Sequence, residues 1–235
     1  DQYKSNTIIC TTGAVVFRAA EAYLNYIEAC YEKNGSLDND AAGYWKAIRR
    51  RAGVSEDYEL TIANTNLDKE ANVVSGTVYG DLAVFSGDQK VDATLYNIRR
   101  ERRCELMAEG LRYMDLMRWR AMDQMISTPY HIEGFKLWGS MQHWYDNEDG
   151  TSQLVYGMDN PKANVSDPAI SPYLRPYEKN NNNLAKDGYR WAMAHYLEPY
   201  RIQDMDITSG GGSIENSPIY QNPYWPTEPN MPPLK

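Results

Sequence analysis

The sequence has few of the residues and patterns that build metal sites or membrane spans. Its 235 residues include only 3 histidines, and the longest apolar runs are a few residues long, as at 14–17. A helix needs about 20 consecutive apolar residues to cross a bilayer, so no span is predicted. His131, His143 and His195 are too scattered for the close pair of a helical zinc site, and no HExxH occurs. We therefore predict no bound metal and no cofactor.

Cysteines are equally scarce. Cys10, Cys30 and Cys104 are an odd number and form neither a CxxC pair nor a spacing typical of metal ligands. Two of them fall within predicted helices among apolar neighbours. The sequence therefore predicts buried, free thiols rather than disulfides or a ligand set.

Motifs of several large enzyme classes are missing as well. The chain contains no GxGxxG after a strand, no GxxxxGKS and no GxSxG, so dinucleotide, P-loop and serine-hydrolase functions lose their sequence support. Lysine and arginine total 24 against 32 aspartates and glutamates, a formal net charge of −8. Because phosphate binding requires a basic surface, no nucleic-acid partner is predicted.

Apolar residues spaced three and four apart predict an amphipathic helix from about residue 14 to 33, which Asn34-Gly35 would end. A second helix follows, with Asp38 or Asp40 as its N-cap and Gly53 at its end. Two helices joined by so short a turn form a helical hairpin.

The helical period is lost from 54 to 90, which predicts a long excursion of turns and loops. Helix returns after the N-cap Asp92 and continues, with a break near Gly110, to about Ile126. From Pro129 onward we expect mostly loop, since this part holds every proline and 4 of the 6 tryptophans. Its proline-rich end is expected to be extended and to cover the surface.

The segment 99–119 is the most charged part of the chain and places Glu101, Glu105 and Glu109 on one helical row. Paired carboxylates are typical of glycoside hydrolases. However, arginines interleave with these glutamates, and neighbouring cations favour the ionised carboxylate over a general acid. We predict a structural network of ion pairs that ties this helix to the preceding hairpin, with Glu21 and Glu28 as possible outside partners.

Aromatic residues in the loops are the candidate ligand contacts. Several lie in polar, glycine-containing stretches, next to possible acceptors at 146–149. Aromatic faces pack on the apolar faces of sugars, while carboxylates and amides bind the hydroxyls. Packing of these aromatics over the helices is the alternative explanation. The predicted sugar platform comprises Tyr58, Tyr79, Trp138, Trp144 and Tyr145.

Three segments resemble successive signatures of one family. FRAAEAYLNYIEACYEKNG (17–35), WKAIRRRAGV (45–54) and IRRERRCELMAEGLRYMDLMRW (98–119) are similar, in order and spacing, to the conserved helices of the SusD/RagB family. AHYLEPYRIQ (194–203) and the tail near NPYWP (222–226) are similar to its later elements.

This resemblance implies an all-α fold of tetratricopeptide-like helical hairpins with long, irregular, aromatic-rich loops. It also implies that the chain is the C-terminal portion of one SusD/RagB-like domain, with a helical core at about 14–126 and a loop-rich cover at 127–235. Family members are about twice as long, so the N-terminal half and the lipid anchor are expected to lie outside these residues.

The function implied by the resemblance is nutrient uptake without catalysis. Such proteins bind oligosaccharides at the cell surface and pass them to a SusC-like, TonB-dependent barrel in the outer membrane of Bacteroidetes-type bacteria. Three alternatives stay open: the same architecture binding oligopeptides, a helical-repeat scaffold with protein partners only, and a glycoside hydrolase using Glu101 and Glu105.

Overall fold

The computed structural model of the chain describes residues 16–235, and its regular structure is mainly helical. The α-helices are α1 (Ala19–Asn34), α2 (Asn39–Arg51), α3 (Tyr58–Ala63), α4 (Leu67–Ala71), α5 (Ala93–Glu105), α6 (Arg112–Arg118), α7 (Gln124–Ser127) and α8 (Ile202–Thr208). Short 3-10 helices occupy Leu82–Val84, Ala121–Asp123, Ser140–Tyr145, Met193–Tyr196 and Ile214–Asn216. The predicted all-α class is confirmed. In the part described, no helix has the length and apolar character of a membrane span.

Extended structure is limited to two small antiparallel pairs. β1 (Val73–Val74) pairs with β2 (Thr77–Val78), and β3 (Phe85–Ser86) pairs with β4 (Gln89–Lys90). The first turn places Ser75 at φ 49° and Gly76 at φ 84°, the positive angles that a tight two-residue hairpin turn requires.

The chain folds as two compact units. The helical unit contains the described residues up to Thr65 together with Val91–Tyr113, and the loop-rich unit contains Asn66–Lys90 and Met114–Lys235. That both belong to one larger domain, with a core that ends near residue 126, stays a prediction.

The core of the helical unit lies where α1 packs against α2 and α5. Leu24, Ile27, Trp45, Ile48 and Ile98 are all at most 3% exposed. The spacing of three residues within each helix of the predicted hairpin places these side chains on one face. Burial of this apolar face therefore holds the hairpin to α5.

Aspartates cap three helices of this unit. Asp38 accepts a hydrogen bond from the backbone N–H of Ala41 at 2.8 Å, and Asp57 accepts one from Leu60 at 2.8 Å. Asp92 accepts two, from the second and third residues of α5. The predicted caps at Asp38 and Asp92 are confirmed, and each satisfies N–H groups that the helix leaves unpaired.

The helix boundaries differ from prediction at several places, including a second interruption of the helix predicted to reach Ile126, at Arg120 with φ 55°. α1 begins at Ala19, where Arg18 is still extended, and the predicted start at residue 14 lies outside the described residues. The segment 54–90 contains α3 and α4 as well as turns. These helices have six and five residues, too few for an apolar period to appear in the sequence. The predicted break near Gly110 is confirmed, since Ala108 and Gly110 both have positive φ.

The cysteines were predicted to be buried, and this is correct for Cys30 but wrong for Cys104, which is exposed. On α5 the buried row includes Ile98 and Arg102, one turn apart. Cys104 follows Arg102 by two residues, which turns it to the opposite side of the helix. Cys10 lies outside the described residues.

The glutamates of the charged segment bind cations of the hairpin, as predicted. Glu101 accepts hydrogen bonds from Trp45 Nε1 and Arg49 Nη1, both at 2.9 Å. Glu105 binds Arg18 and Arg51. The network thus joins α5 to α2 and to the residue before α1.

Glu109 completes this network from the turn after α5, because the helix ends at Glu105. Both of its oxygens lie 3.0 Å from Arg18 Nε. This bond lowers the pKa of the Glu109 carboxyl and raises the pKa of Arg18. The three glutamates therefore act together, although only two of them lie on the helix.

Contacts between α5 and α1 add to the network. Arg102 Nη1 donates to Asn25 Oδ1 at 2.6 Å, and Arg99 Nη2 lies 3.9 Å from Glu32. The predicted partners Glu21 and Glu28 also lie on α1, and Glu28 is buried. Their pairing with α5 stays a prediction.

We expect Glu105→Leu to lower the free energy of unfolding by about 2 kcal/mol. Its side chain is 6% exposed, whereas those of Arg18 and Arg51 are 23% and 60% exposed. Water can partly solvate the arginines that lose their partner, so the loss should be below that of a fully buried pair. Urea unfolding measured at 222 nm gives the value.

Glu56→Leu is the matched control, because it breaks the Arg50–Glu56 pair on the same unit. Those side chains are 68% and 39% exposed, and exposed pairs contribute about 0–1 kcal/mol. Equal losses in the two variants would contradict a stabilising role specific to Glu105.

Candidate functional site

Backbone hydrogen bonds hold two irregular strands of the loop-rich unit side by side. The N–H of Gly134 donates to the carbonyl of Leu174 at 2.7 Å, and the N–H of Leu174 donates to Phe135 at 2.9 Å. The N–H of Trp138 donates to Pro172 at 3.1 Å. The segment that leads to the predicted aromatic platform is therefore fixed by main-chain bonds although it contains no regular helix or sheet.

A buried cluster of charges reinforces this region. Arg175 lies 2.9 Å from Glu133 and 3.1 Å from Glu178, and His131 also contacts Glu178. Arg175 and Glu178 are 8% and 5% exposed. A guanidinium with two carboxylate partners holds the segment at 131–133 to the segment at 175–178, so these loops have a defined conformation before any ligand binds.

Trp138 contributes to this scaffold. It is half-buried, its Nε1 donates to the carbonyl of Ser166 at 3.1 Å, and its ring meets Tyr156 edge-to-face at 5.3 Å. Ser166 is fully buried and its hydroxyl accepts a bond from the N–H of Arg175. These contacts of Trp138 hold neighbouring loops together. They agree with the alternative explanation given for these aromatics, which is packing rather than sugar binding.

Trp144 lies on the 3-10 helix Ser140–Tyr145 and is 74% exposed. Within residues 16–235 its side chain makes no hydrogen bond or ring contact. Tyr145, the next residue, is 37% exposed, and its carbonyl accepts a bond from Gln153 at 2.9 Å. The indole of Trp144 is thus exposed to solvent at the start of a turn that the Gln153–Tyr145 hydrogen bond closes.

The acceptors predicted beside Trp144 are mostly occupied within that turn. Asp146 Oδ2 lies 3.0 Å from His143 Nδ1, and Asn147 bonds to both the main chain and the side chain of Thr151. Asp149 accepts two bonds from Thr151, which lower the pKa of its carboxyl. These groups shape the turn, and their remaining lone pairs face solvent.

Tyr58 and Tyr79 have different surroundings. Tyr58 is 6% exposed in the helical unit and stacks on Trp45 with ring centroids 4.4 Å apart. A ring covered in this way offers little surface to a sugar. Tyr79 is half-buried in the loop-rich unit, directly after β2, and its N–H donates to the carbonyl of Asn72.

The two carboxylates that the glycoside-hydrolase alternative would use form ion pairs within the helical unit. Glu101 and Glu105 are both held by arginines, with side chains 14% and 6% exposed. A general acid must reach the substrate atom that it protonates, and these two carboxylates are instead bound to arginines and largely buried. In the described part of the chain, no three His, Cys, Asp or Glu side chains are grouped so as to hold a metal ion.

A cleft that sequence reasoning missed lies in the loop-rich unit between residues 199–203 and 221–231, with a volume of about 460 Å³. Trp225 lines it and is held by its Nε1, which donates to the carbonyls of Ala194 (2.9 Å) and Leu197 (2.8 Å). The tail was predicted only to cover the surface. The tail alternates proline with tyrosine and tryptophan. This pattern could have indicated a cleft, because such residues build apolar walls.

Comparison with models of known protein families identifies a family for this chain. The model of the SusD family matches residues 1–225. No curated protein and no solved structure matches the chain. The family is known for non-catalytic proteins with a nutrient-binding role in glycan uptake, and its members are typically outer-membrane lipoproteins associated with SusC-like transporters. Because the match extends over nearly the whole sequence, the chain belongs to the SusD family.

Proposed function

We propose that this protein binds oligosaccharides at the cell surface without catalysis and delivers them to a SusC-like, TonB-dependent barrel. Family membership supports the general role in glycan uptake. The observation that supports a sugar ligand is Trp144, whose indole is 74% exposed and makes no hydrogen bond or ring contact within the described residues. An aromatic ring left open on a rigid loop fits the apolar face of a pyranose.

In this proposal Trp144 and Tyr145 contact the ligand, and Trp138 acts as a positioning residue. Tyr79 stays a candidate contact on the same unit. The turn at 146–152 holds polar side chains beside the indole, and oxygens such as those of Asp146 can bind sugar hydroxyls while they keep their local bonds. Attachment by a lipid anchor at the outer membrane, and transfer to the barrel, are part of the same proposal.

The test is calorimetric titration of the full chain with neutral oligosaccharides derived from dextrin, xylan, mannan and arabinan, and with oligopeptides. We expect one glycan class to bind and Trp144→Ala to weaken it about tenfold. The melting temperature should be unchanged, because the indole is exposed.

Tyr220→Ala is the matched control. This residue also lies in the loop-rich unit and is 84% exposed, so its loss should leave affinity unchanged. Equal affinity of the wild type and Trp144→Ala would remove Trp144 from the site. Binding of peptides alone would contradict the proposed oligosaccharide ligand and support the alternative in which the protein binds oligopeptides.

A further inference from the structure

The C-terminal cleft has the composition of a second ligand site. Its apolar walls include Pro199, Ile202 and the ring of Trp225, and its polar groups include Arg201 and Glu228. A volume of about 460 Å³ lies within the roughly 300–1,000 Å³ of small-molecule sites. An apolar wall with a few polar groups is the usual composition of such sites.

The walls are rigid before any ligand arrives. Gln221 Oε1 accepts the N–H of Tyr200 at 2.9 Å, and Gln221 Nε2 donates to the carbonyl of the same residue at 3.0 Å. Asn222 Nδ2 donates to the carbonyl of Glu198, and the N–H of Leu234 donates to Tyr224 at 2.8 Å. The bonds of Gln221 and Asn222 join the two sides of the cleft, and the bond from Leu234 fixes the tail beside it. This lowers the entropy cost of binding.

The charges that line the cleft are available to a ligand. Within residues 16–235, Arg201 has no carboxylate within salt-bridge distance, and Glu228 has no cation within that distance. In the same unit, Arg118, Arg120 and Arg175 each lie within 3.1 Å of a carboxylate. Arg201 therefore differs from these three arginines of its unit.

We propose that this cleft binds a neutral oligosaccharide. One guanidinium and one carboxylate give the lining no net charge, so an anionic or a cationic ligand would face one like charge. A sugar hydroxyl both donates and accepts hydrogen bonds, and so it matches a donor such as Arg201 and an acceptor such as Glu228 equally. The ring of Trp225 would pack on the apolar face of a pyranose. The inference rests on the proposed function and adds a contact point for the same class of ligand.

The experiment labels the full chain with 5-fluorotryptophan and follows each tryptophan by fluorine NMR, with Trp225→Phe identifying the resonance of Trp225. The titrants are the neutral oligosaccharides used above, an oligogalacturonate, a chitosan oligomer and a proline-rich peptide. We expect the Trp225 resonance to shift with a neutral oligosaccharide. Arg201→Gln and Glu228→Gln should each weaken this response about tenfold, and Arg190→Gln, an exposed arginine outside the cleft, should not.

The outcomes separate this inference from the proposed function. A Trp225 resonance that no neutral oligosaccharide moves overturns the inference, even if Trp144 responds. A Trp225 response that persists in Trp144→Ala supports the cleft, even if the indole of Trp144 proves uninvolved. A response to the charged oligomers or the peptide alone also overturns it, since the proposed ligand is a neutral sugar.

Discussion

Trp45→Ala is expected to lower the free energy of unfolding by about 4 kcal/mol. Trp45 is 1% exposed, stacks on Tyr58 and donates its Nε1 to Glu101 at 2.9 Å. Truncation leaves a cavity between α2 and its neighbours and removes a hydrogen bond from a carboxylate that is itself 14% exposed. Urea unfolding followed at 222 nm measures the change, because most of the long helices belong to this unit.

Trp45→Phe separates the two contributions. It keeps a ring that can stack on Tyr58 but loses the N–H group, so the loss should be about 1–2 kcal/mol plus a small term for volume. If alanine and phenylalanine destabilise the chain equally, the hydrogen bond rather than the packing accounts for the effect. A loss below about 1 kcal/mol in Trp45→Ala would contradict a core position for this residue.

Gly80→Ala should destabilise the loop-rich unit by about 3 kcal/mol. A Cβ atom at this position would lie 1.9 Å from the carbonyl oxygen of Glu70 and 2.8 Å from the carbonyl carbon of Ala71. Both are backbone atoms, and the main chain here is tied by bonds from Gly80 to Ala71 and from Asp81 to Glu70. The main chain must shift to relieve the clash, which should weaken these bonds and speed amide exchange at Asp81.

Gly43→Ala is the counterpart for this prediction. Gly43 lies inside α2, and a Cβ atom there would meet nothing within 4 Å. Alanine is the better helix former, so this variant should gain about 0.5–1 kcal/mol. Destabilisation by both substitutions would show that loss of glycine, and not the clash at Gly80, is responsible.

The long helices were predictable because their signals are local. The three-residue spacing of Leu24 and Ile27, the aspartate caps and the glycine stop at Gly35 each act within a few residues of chain. The short helices α3 and α4 escaped prediction because six and five residues are too few for an apolar period to appear. The helical row was predicted correctly for Glu101 and Glu105 but not for Glu109, which lies beyond the end of α5. The arginine partners Arg18, Arg49 and Arg51 became identifiable only from the packing.

The candidate site was predictable only in part. Aromatic residues in polar loops look alike in sequence, and only the structure separates the buried Tyr58 and the anchored Trp138 from the open Trp144. The cleft beside Trp225 depends on bonds between segments some 20 residues apart, such as Gln221 with Tyr200. No periodic pattern records such a contact, so composition alone indicated an extended tail.

The cap at Asp38 makes the start of α2 dependent on ionisation of one carboxyl group. A carboxylate favours the positive end of a helix dipole only while it is charged. Bonds from the Ala41 N–H and the Tyr26 hydroxyl lower the pKa of Asp38, and the same contact raises the pKa of Tyr26 to about 12. The stability from Asp38 is complete above the pKa it has when unfolded, and it is lost as pH falls through the lower folded pKa. The helical hairpin should therefore lose stability in acid, when Asp38 in its turn becomes protonated and its bonds with the Ala41 N–H and the Tyr26 hydroxyl weaken.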